Sequence, residues 1–427
     1  MVLNEDAQSL PPGIARCIEN LKNPNPRQRS QAALELGELK ALEAVPALIA
    51  TLNDDVNTYV RSAAAESLGH LGDPRSIFPL MDALHDSSSF VRRATAIALG
   101  QLQAKEAQVA LLQALDDPNF YVQRAVINAI GKLGIPDLGS VLLPFLDTDD
   151  PRIRRTVVTA LRRMGTHDAV SRMVTMLEEY MRAPAPHDLP VVKTLILALG
   201  DFRSQEAVPV LLQVVQGYVG VRSLAASALG HIGDHRAGPV LVEALKDRSA
   251  SLRLAALKGL GRLGYVKAAP TIREFFSSPD PRMRRVSALA AGQLRDHEAI
   301  PHLLEMLHND SSPLVRPVAA EALALIGDPQ VLSELLPLVE DSNAYLRASL
   351  GPVLCTLGTG SPGEVRHALE LLQEDKVEHV AAAARRSLER LAEIEAAPES
   401  IPAFSKECME PKGKETSWLR RLFNMHL

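Results

Sequence analysis

The sequence predicts an all-α fold, an α-solenoid or superhelix of about eleven to twelve stacked helical hairpins. Three observations carry this. A phrase of the form Val-Arg-x-x-Ala-x-x-Ala-Leu-Gly returns about every 31 residues, the apolar spacing inside each return is helical, and the 427-residue chain is 46% hydrophobic but only 4% aromatic. With one Trp, six Tyr and nine Phe, Ala and Leu must fill the interior, which suits many close-packed helices. The balance of 46 Lys+Arg against 51 Asp+Glu, net −5, is that of a soluble folded chain rather than a disordered one. Cys17, Cys355 and Cys408 lie far apart without CxxC spacing, so no disulfide framework or thiolate metal knuckle is written, and a cytoplasmic location fits. The amino-terminal residues lack a secretory signal pattern, and no run of about 18 apolar residues predicts a membrane span.

The arginine of the phrase defines a slot at Arg29, Arg61, Arg92, Gln123, Arg154, Val192, Arg222, Arg253, Arg284, Arg316, Arg347 and, degenerately, Ala381. Apolar residues such as Val60, Ala64, Leu68 and Leu71 form one stripe and make this segment the second helix of a hairpin. Runs such as Ala44–Leu52 and Ala207–Val215 make the first helix, with Pro46 or Pro209 tolerated in its first turn. Gly72-Asp73-Pro74, Gly233-Asp234 and Gly327-Asp328-Pro329 supply left-handed caps. Eight residues after the slot stands a small residue, Gly37, Gly69, Gly100 or Gly131 for example, where a neighbouring helix can approach. One hairpin cannot bury both its stripes, so neighbours stack into an elongated right-handed superhelix.

A cation near a helix start is disfavoured by the dipole and needs an offsetting partner. Acidic turn residues lie four to seven positions before the slot: Asp54 or Asp55, Asp86, Asp116 or Asp117, Asp149 or Asp150, Asp247, Asp280, Asp310 and Asp341. They predict an Asp–Arg ladder tying each turn to its neighbour, worth about 0.2–1 kcal/mol per exposed rung.

The period divides the chain into a solenoid over 1–394, a flexible tether over 395–416 and an amphipathic helix over 417–427. An inserted loop at 181–190, rich in proline, reads either as a tolerated hairpin-tip insertion or as a partner-gripping loop or hinge.

The residues Val60-Arg-Ser-Ala-Ala-Ala-Glu-Ser-Leu-Gly-His-Leu-Gly-Asp73 and Val221-Arg-Ser-Leu-Ala-Ala-Ser-Ala-Leu-Gly-His-Ile-Gly-Asp234 resemble the short HEAT-like repeat of the phycobilisome (bilin) lyase class, over residues 14 to 394. The resemblance implies the fold; its members include bilin lyases and chaperone-like relatives, iron–sulfur assembly partners and scaffolds. Deoxyhypusine hydroxylase is similar in fold but holds a di-iron centre through helical His-Glu pairs. Here the matching positions are Ser62-Ala63, Arg93-Ala94, Arg124-Ala125 and Ser223-Leu224, and the one His-Glu dipeptide, His297-Glu298, falls in a turn.

Other chemistry finds no seat, so neither a cofactor nor a metal is expected. His231 and His235 flank a helix end, and P-loop, dinucleotide and nucleophile-elbow motifs are missing along with the strands they need. Cys355 fills the small-residue slot of its repeat and reads as a packing thiol.

Residues one, five and nine after the slot share one face of each second helix and are expected to line the concave surface. They run Arg93/Ile97/Gln101, Arg124/Asn128/Lys132, Arg155/Thr159/Arg163, Lys193/Leu197/Asp201, Ser223/Ser227/His231, Leu254/Lys258/Arg262 and Arg285/Leu289/Gln293. Nine of these twenty-one positions are basic and one is acidic, in a chain of negative net charge. The ridge of Arg93, Arg124, Arg155 and Lys193 would steer an acidic protein partner or the carboxylates of a bilin; the plainer reading is a solvated helix face. A pI near 6.2 and few aromatics on the ridge argue against nucleic acid. At the carboxyl end, Trp418 and Phe423 share a helical face with Leu419 and Leu422, with Arg420 and Arg421 on its other side. That segment is expected to cap the last hairpin, dock on a partner groove, or make weak peripheral membrane contact. A non-catalytic scaffold is the favoured function. The alternative is a bilin lyase or chaperone-like subunit handling an open-chain tetrapyrrole for a phycobiliprotein, and it would be the enzymatic one.

Overall fold

The computed structural model describes residues 10–183, 185, 188–217 and 220–396. Among them are twenty-four α-helices and no strand, paired as twelve hairpins. The second helices run Pro26–Glu38, Thr58–Leu71, Ser89–Gln101, Phe120–Leu133, Pro151–Met164, Leu189–Asp201, Arg222–Ile232, Ala250–Leu263, Pro281–Gln293, Arg316–Ile326, Ala344–Leu357 and Glu378–Ala396, and they number the repeats 1 to 12. No helix among the described residues is long and apolar enough to cross a membrane.

Local chemistry sets the helix ends. Asn57, Asn119 and Asn343 accept hydrogen bonds from the first backbone N–H groups of their helices, and Pro26, Pro151 and Pro281 occupy first positions where no N–H partner is needed. Gly72 closes its helix at φ +72°. At the equivalent position Lys40, Gln103, Arg203 and Arg295 adopt φ of 50–53° without being glycine, a conformation that L side chains rarely hold.

The chain forms two compact units, Met1–Val210 and Leu211–Leu427, divided inside the first helix of repeat 7, Val208–Gly217. Within each, successive second helices pack side by side at the small-residue slot. A Cβ on Gly131 would lie 2.6 Å from the Ala160 Cβ, and one on Gly230 would lie 2.5 Å from the Gly259 Cα. Alanine and leucine fill the interior, as the composition predicts; Val60, Ala64, Leu68, Ala98 and Leu99 are fully buried. Buried Ser67 donates its hydroxyl to the Ala33 carbonyl at 2.7 Å across the helix pair.

The Asp–Arg ladder is present, with a geometry the sequence alone does not give. In most repeats the arginine donates to a backbone carbonyl ahead of its own helix and forms its ion pair with the aspartate of the following repeat; among the described residues Arg253 bonds only the Asp247 and Arg248 carbonyls, and Asp280 turns to Arg282. Arg61 donates through Nη1 to the Asp55 carbonyl and through Nε and Nη2 to the two Asp86 carboxylate oxygens at 2.7 and 2.9 Å. The same aspartate accepts the Ser88 N–H, so one carboxylate orders the turn and holds the neighbour. Further rungs are Arg29–Asp55 and Arg92–Asp117 in the first unit, and Arg222–Asp247, Arg284–Asp310, Arg316–Asp341 and Arg347–Asp375 in the second. Burial works to raise the Asp86 carboxyl. The hydrogen bonds from Arg61 and Ser88 and the charges of Arg61 and Arg92 outweigh it, holding it below the ordinary carboxylate range. These rungs are half-buried and mostly bidentate, so they are stronger than the exposed pairs the sequence suggests.

The ladder breaks between repeats 4 and 6. Gln123 bonds only the Leu115 carbonyl, and Asp150 turns instead to Arg152. Arg154 reaches the Thr148 carbonyl and lies over the Tyr180 ring, 5.6 Å from its centre. The insertion follows there: the first helix of repeat 6 ends at Arg182 and the second begins at Leu189. At the carboxyl end the last helix runs to Ala396, while Trp418, Arg420, Arg421, Phe423, Cys408 and the rest of 397–427 lie outside the described residues.

Candidate functional site

The face that the second helices leave to solvent is the candidate site. In repeat 4, Val122, Ala125, Val126, Ala129 and Ile130 are buried, and Tyr121, Arg124, Asn128 and Lys132 make the line that is not. The same register recurs across repeats 3 to 6. Arg93, Arg155 and Lys193 are exposed and, among the described residues, make no hydrogen bond or ion pair, so they stand as solvated cations on successive packed helices. Packed helices lie about 8–10 Å apart, which sets the spacing of these charges. Arg124 is half-buried, with its guanidinium 5.6 Å from the centre of the Phe120 ring and 5.9 Å from that of Tyr121. Arg163 donates to Asn128 at 2.9 Å, joining the ninth position of repeat 5 to the fifth of repeat 4. Asp201, the one acid of the stripe, is taken up by Arg162 at 2.5 Å. Lys132 stays beside the glycine slot, its Cδ 3.4 Å from where a Gly100 Cβ would be.

In the second unit Arg262 is exposed, and Lys258 and Arg285 are half-buried as Arg124 is. Burial lowers the pKa of Arg262 and Arg285, and it lowers that of Lys258 with added repulsion from Arg262 and Arg285. Arg262 Nη1 lies 2.5 Å from His231 Nε2, a pairing that ties repeat 8 to repeat 7. Two repeats further on, Glu321 occupies the fifth position of its stripe, and burial pushes its carboxyl up to about 7. Sequence reasoning passed over Glu321 because repeat 10 was left out of the stripe; its offset of five from Arg316 was the available signal.

The aromatic content of this face was also missed. Two residues before the slot stand Tyr59, Phe90 and Tyr121, exposed at 65%, 55% and 50%, one turn from the +1 position that carries Arg93 and Arg124. These rings flank the ridge; the +1, +5 and +9 positions themselves carry no aromatic residue. Overall counts of Phe and Tyr hid a local concentration.

Among the described residues no group of three or more His, Cys, Asp or Glu could hold a metal. Cys355 is buried, donates to the Ser387 carbonyl at 3.2 Å and has its thiol pushed up to about 11 by burial, which suits packing and not nucleophilic attack. Glu298, of the His-Glu dipeptide, pairs with Arg273 at 2.7 Å beside a short turn.

Comparison with known proteins agrees with this architecture. The model of HEAT repeats matches residues 14–100, 108–185, 187–253, 238–324 and 300–389, and that of the PBS lyase HEAT-like repeat matches residues 91–117. Over 59 residues, 14% of the chain, the sequence is 48% identical to the bilin biosynthesis protein PecE of Nostoc sp. (strain PCC 7120). Over 56 residues, 13% of the chain, it is 45% identical to the PecE of Mastigocladus laminosus. The chain spans only 23% and 21% of the length of these relatives. Among solved structures, importin beta aligns over 90% of this chain and 63% of its own with a TM-score of 0.58 and 14% identity, a likeness of fold. The repeating hairpins, their shared slots and the matches running from residue 14 to 389 establish that the chain belongs to the HEAT-repeat family.

Proposed function

We propose that this chain is a non-catalytic interaction scaffold that binds an acidic protein partner on its second-helix face. One observation carries the reading. Arg93, Arg155 and Lys193 stand exposed without ion pairs, while Asp55, Asp86 and Asp117 of the neighbouring turns are drawn into the ladder. These turn acids are spent on structure, so the face of repeats 3 to 6 is cationic although the chain is net negative. Such a field steers an acidic partner and fixes its register. In the second unit Lys258, Arg262 and Arg285 present cations at the same helix positions. Charge reversal at Arg124 and Arg155 should abolish recovery of the partner in affinity capture from the native cell while leaving helicity and melting unchanged. Unchanged capture would reduce the ridge to a solvated surface.

A second reading, handling of an open-chain tetrapyrrole for a phycobiliprotein, is favoured by the 48% identity to PecE over 59 residues and by the matched PBS lyase repeat at 91–117. Arginines of the ridge would then face propionate groups. Co-expression with a bilin pathway and a phycobiliprotein subunit separates the two: a coloured covalent adduct appears only under the second.

A further inference from the structure

The aromatic side chains beside the ridge form two platforms. Tyr59 and Phe90, from repeats 2 and 3, lean together with ring centres 5.8 Å apart. Phe120 and Tyr121, in repeat 4, meet edge to face at 5.1 Å, with Arg124 over both rings and Arg152 over Phe120 at 4.2 Å. The Ser62 hydroxyl donates to the Phe90 carbonyl at 3.4 Å, which sets the aromatic line of one repeat against the +1 position of the one before. Exposed rings of this size, grouped and next to cations, are what interfaces use as anchors.

We propose that this strip binds an extended acidic peptide segment of a partner protein, with aromatic or apolar anchors three residues apart and acidic residues between them. The spacing follows from geometry. Equivalent positions on adjacent second helices are about 10 Å apart, and a polyproline-like chain advances about 3.1 Å per residue with three residues per turn. Every third side chain therefore faces the same side and meets the next platform. The intervening acids meet Arg93 and Arg124, one turn along each helix from Phe90 and Tyr121. Asp55, Asp86 and Asp117 do not repel it, because each is bonded to a ladder arginine. The proposal rests on the second-helix face being a partner surface and adds which repeats grip, and in what register.

The test uses the full chain and fluorescent peptides: Phe-Glu-Asp repeated in tandem, the same residues with the phenylalanines clustered at one end, and the tandem form with Gly for Phe. The tandem peptide should bind about tenfold or more tighter than either other. Phe90→Ala and Tyr121→Ala should each erase that advantage while leaving the Gly peptide's affinity unchanged; Tyr121→Phe should keep it. Equal affinity of the tandem and clustered peptides, or an advantage that survives Tyr121→Ala, overturns the proposal. So does stronger Tyr121-dependent binding of biliverdin or of a single-stranded oligonucleotide. Arg93→Glu with Arg124→Glu separates the two levels. If the Gly peptide ignores that reversal, the cationic ridge itself fails; if it responds but phenylalanine adds nothing, only the strip fails.

Discussion

The second-helix faces of the two units share one register and differ in the side chains that surround their charges. In the first unit the cations Arg93, Arg155 and Lys193 stand in solvent, and the aromatic platforms lie beside them. In the second, Lys258, Arg262 and Arg285 are held where burial lowers their pKa values, and a carboxylic acid, Glu321, is pushed up to about 7. Identical slots in a repeat thus acquire different chemistry from the residues around them. Exposed cations mark the first face, and a carboxyl pushed up to about 7 marks the second.

The largest effect expected concerns binding. Arg124→Glu with Arg155→Glu should weaken binding of an acidic partner or peptide about a hundredfold, roughly 3 kcal/mol, with no change in melting temperature. Surface calorimetry and melting together check this, and a drop in stability would mean that the first face is structural. Next comes Glu321→Gln. The folded pKa of Glu321 lies above its ordinary value, so its contribution to stability is full below the ordinary glutamic acid range and is lost as pH rises through about 7. The Gln variant should equal the parent at acid pH and exceed it above neutrality, by at most about 3 kcal/mol. Denaturant melts at both pH values decide; equal stability at alkaline pH would make the two faces alike.

The ladder serves as the control, since both units contain it. Arg61→Ala and Arg284→Ala should each cost about 1.5–3 kcal/mol in chemical denaturation, because each strands a half-buried aspartate. The lowered pKa of Asp86 and Asp341 adds a pH dependence of opposite sign to that of Glu321. The stability they give is full above the ordinary aspartate range and is lost as pH falls below that range, through their lowered folded-state pKa values. The smallest effect should come from Gln103→Gly in the first unit and Arg295→Gly in the second, each relieving a positive φ for a net gain of about 0.5–1 kcal/mol in melting experiments. Equal gains would show that the units differ on their faces and not in their backbones.

Much of this was legible in the chain. The 31-residue spacing, the glycine slot and the helical apolar stripe give the hairpins and their packing, because each is a local pattern repeated many times. The ladder's direction was not legible: Arg61 is six residues from Asp55 and 25 from Asp86, and only stacking shows that the distant carboxylate forms the ion pair. The aromatic pairs were not legible, since a 4% average says nothing about Tyr59 and Phe90 meeting across two repeats. Lys258 and Arg124 look alike as stripe residues and are both half-buried, yet Lys258 meets the charges of Arg262 and Arg285 while Arg124 lies over Phe120 and Tyr121, a difference set by neighbouring side chains and not by the slot.

The central claim is that the unpaired cations of the first unit form an attractive surface for acidic chains. Titrating the full protein with fluorescent polyglutamate at rising salt tests it most directly. Affinity should fall steeply with ionic strength, and the salt slope should nearly vanish in the Arg93→Glu, Arg124→Glu, Arg155→Glu variant. The same slope in parent and variant would contradict it.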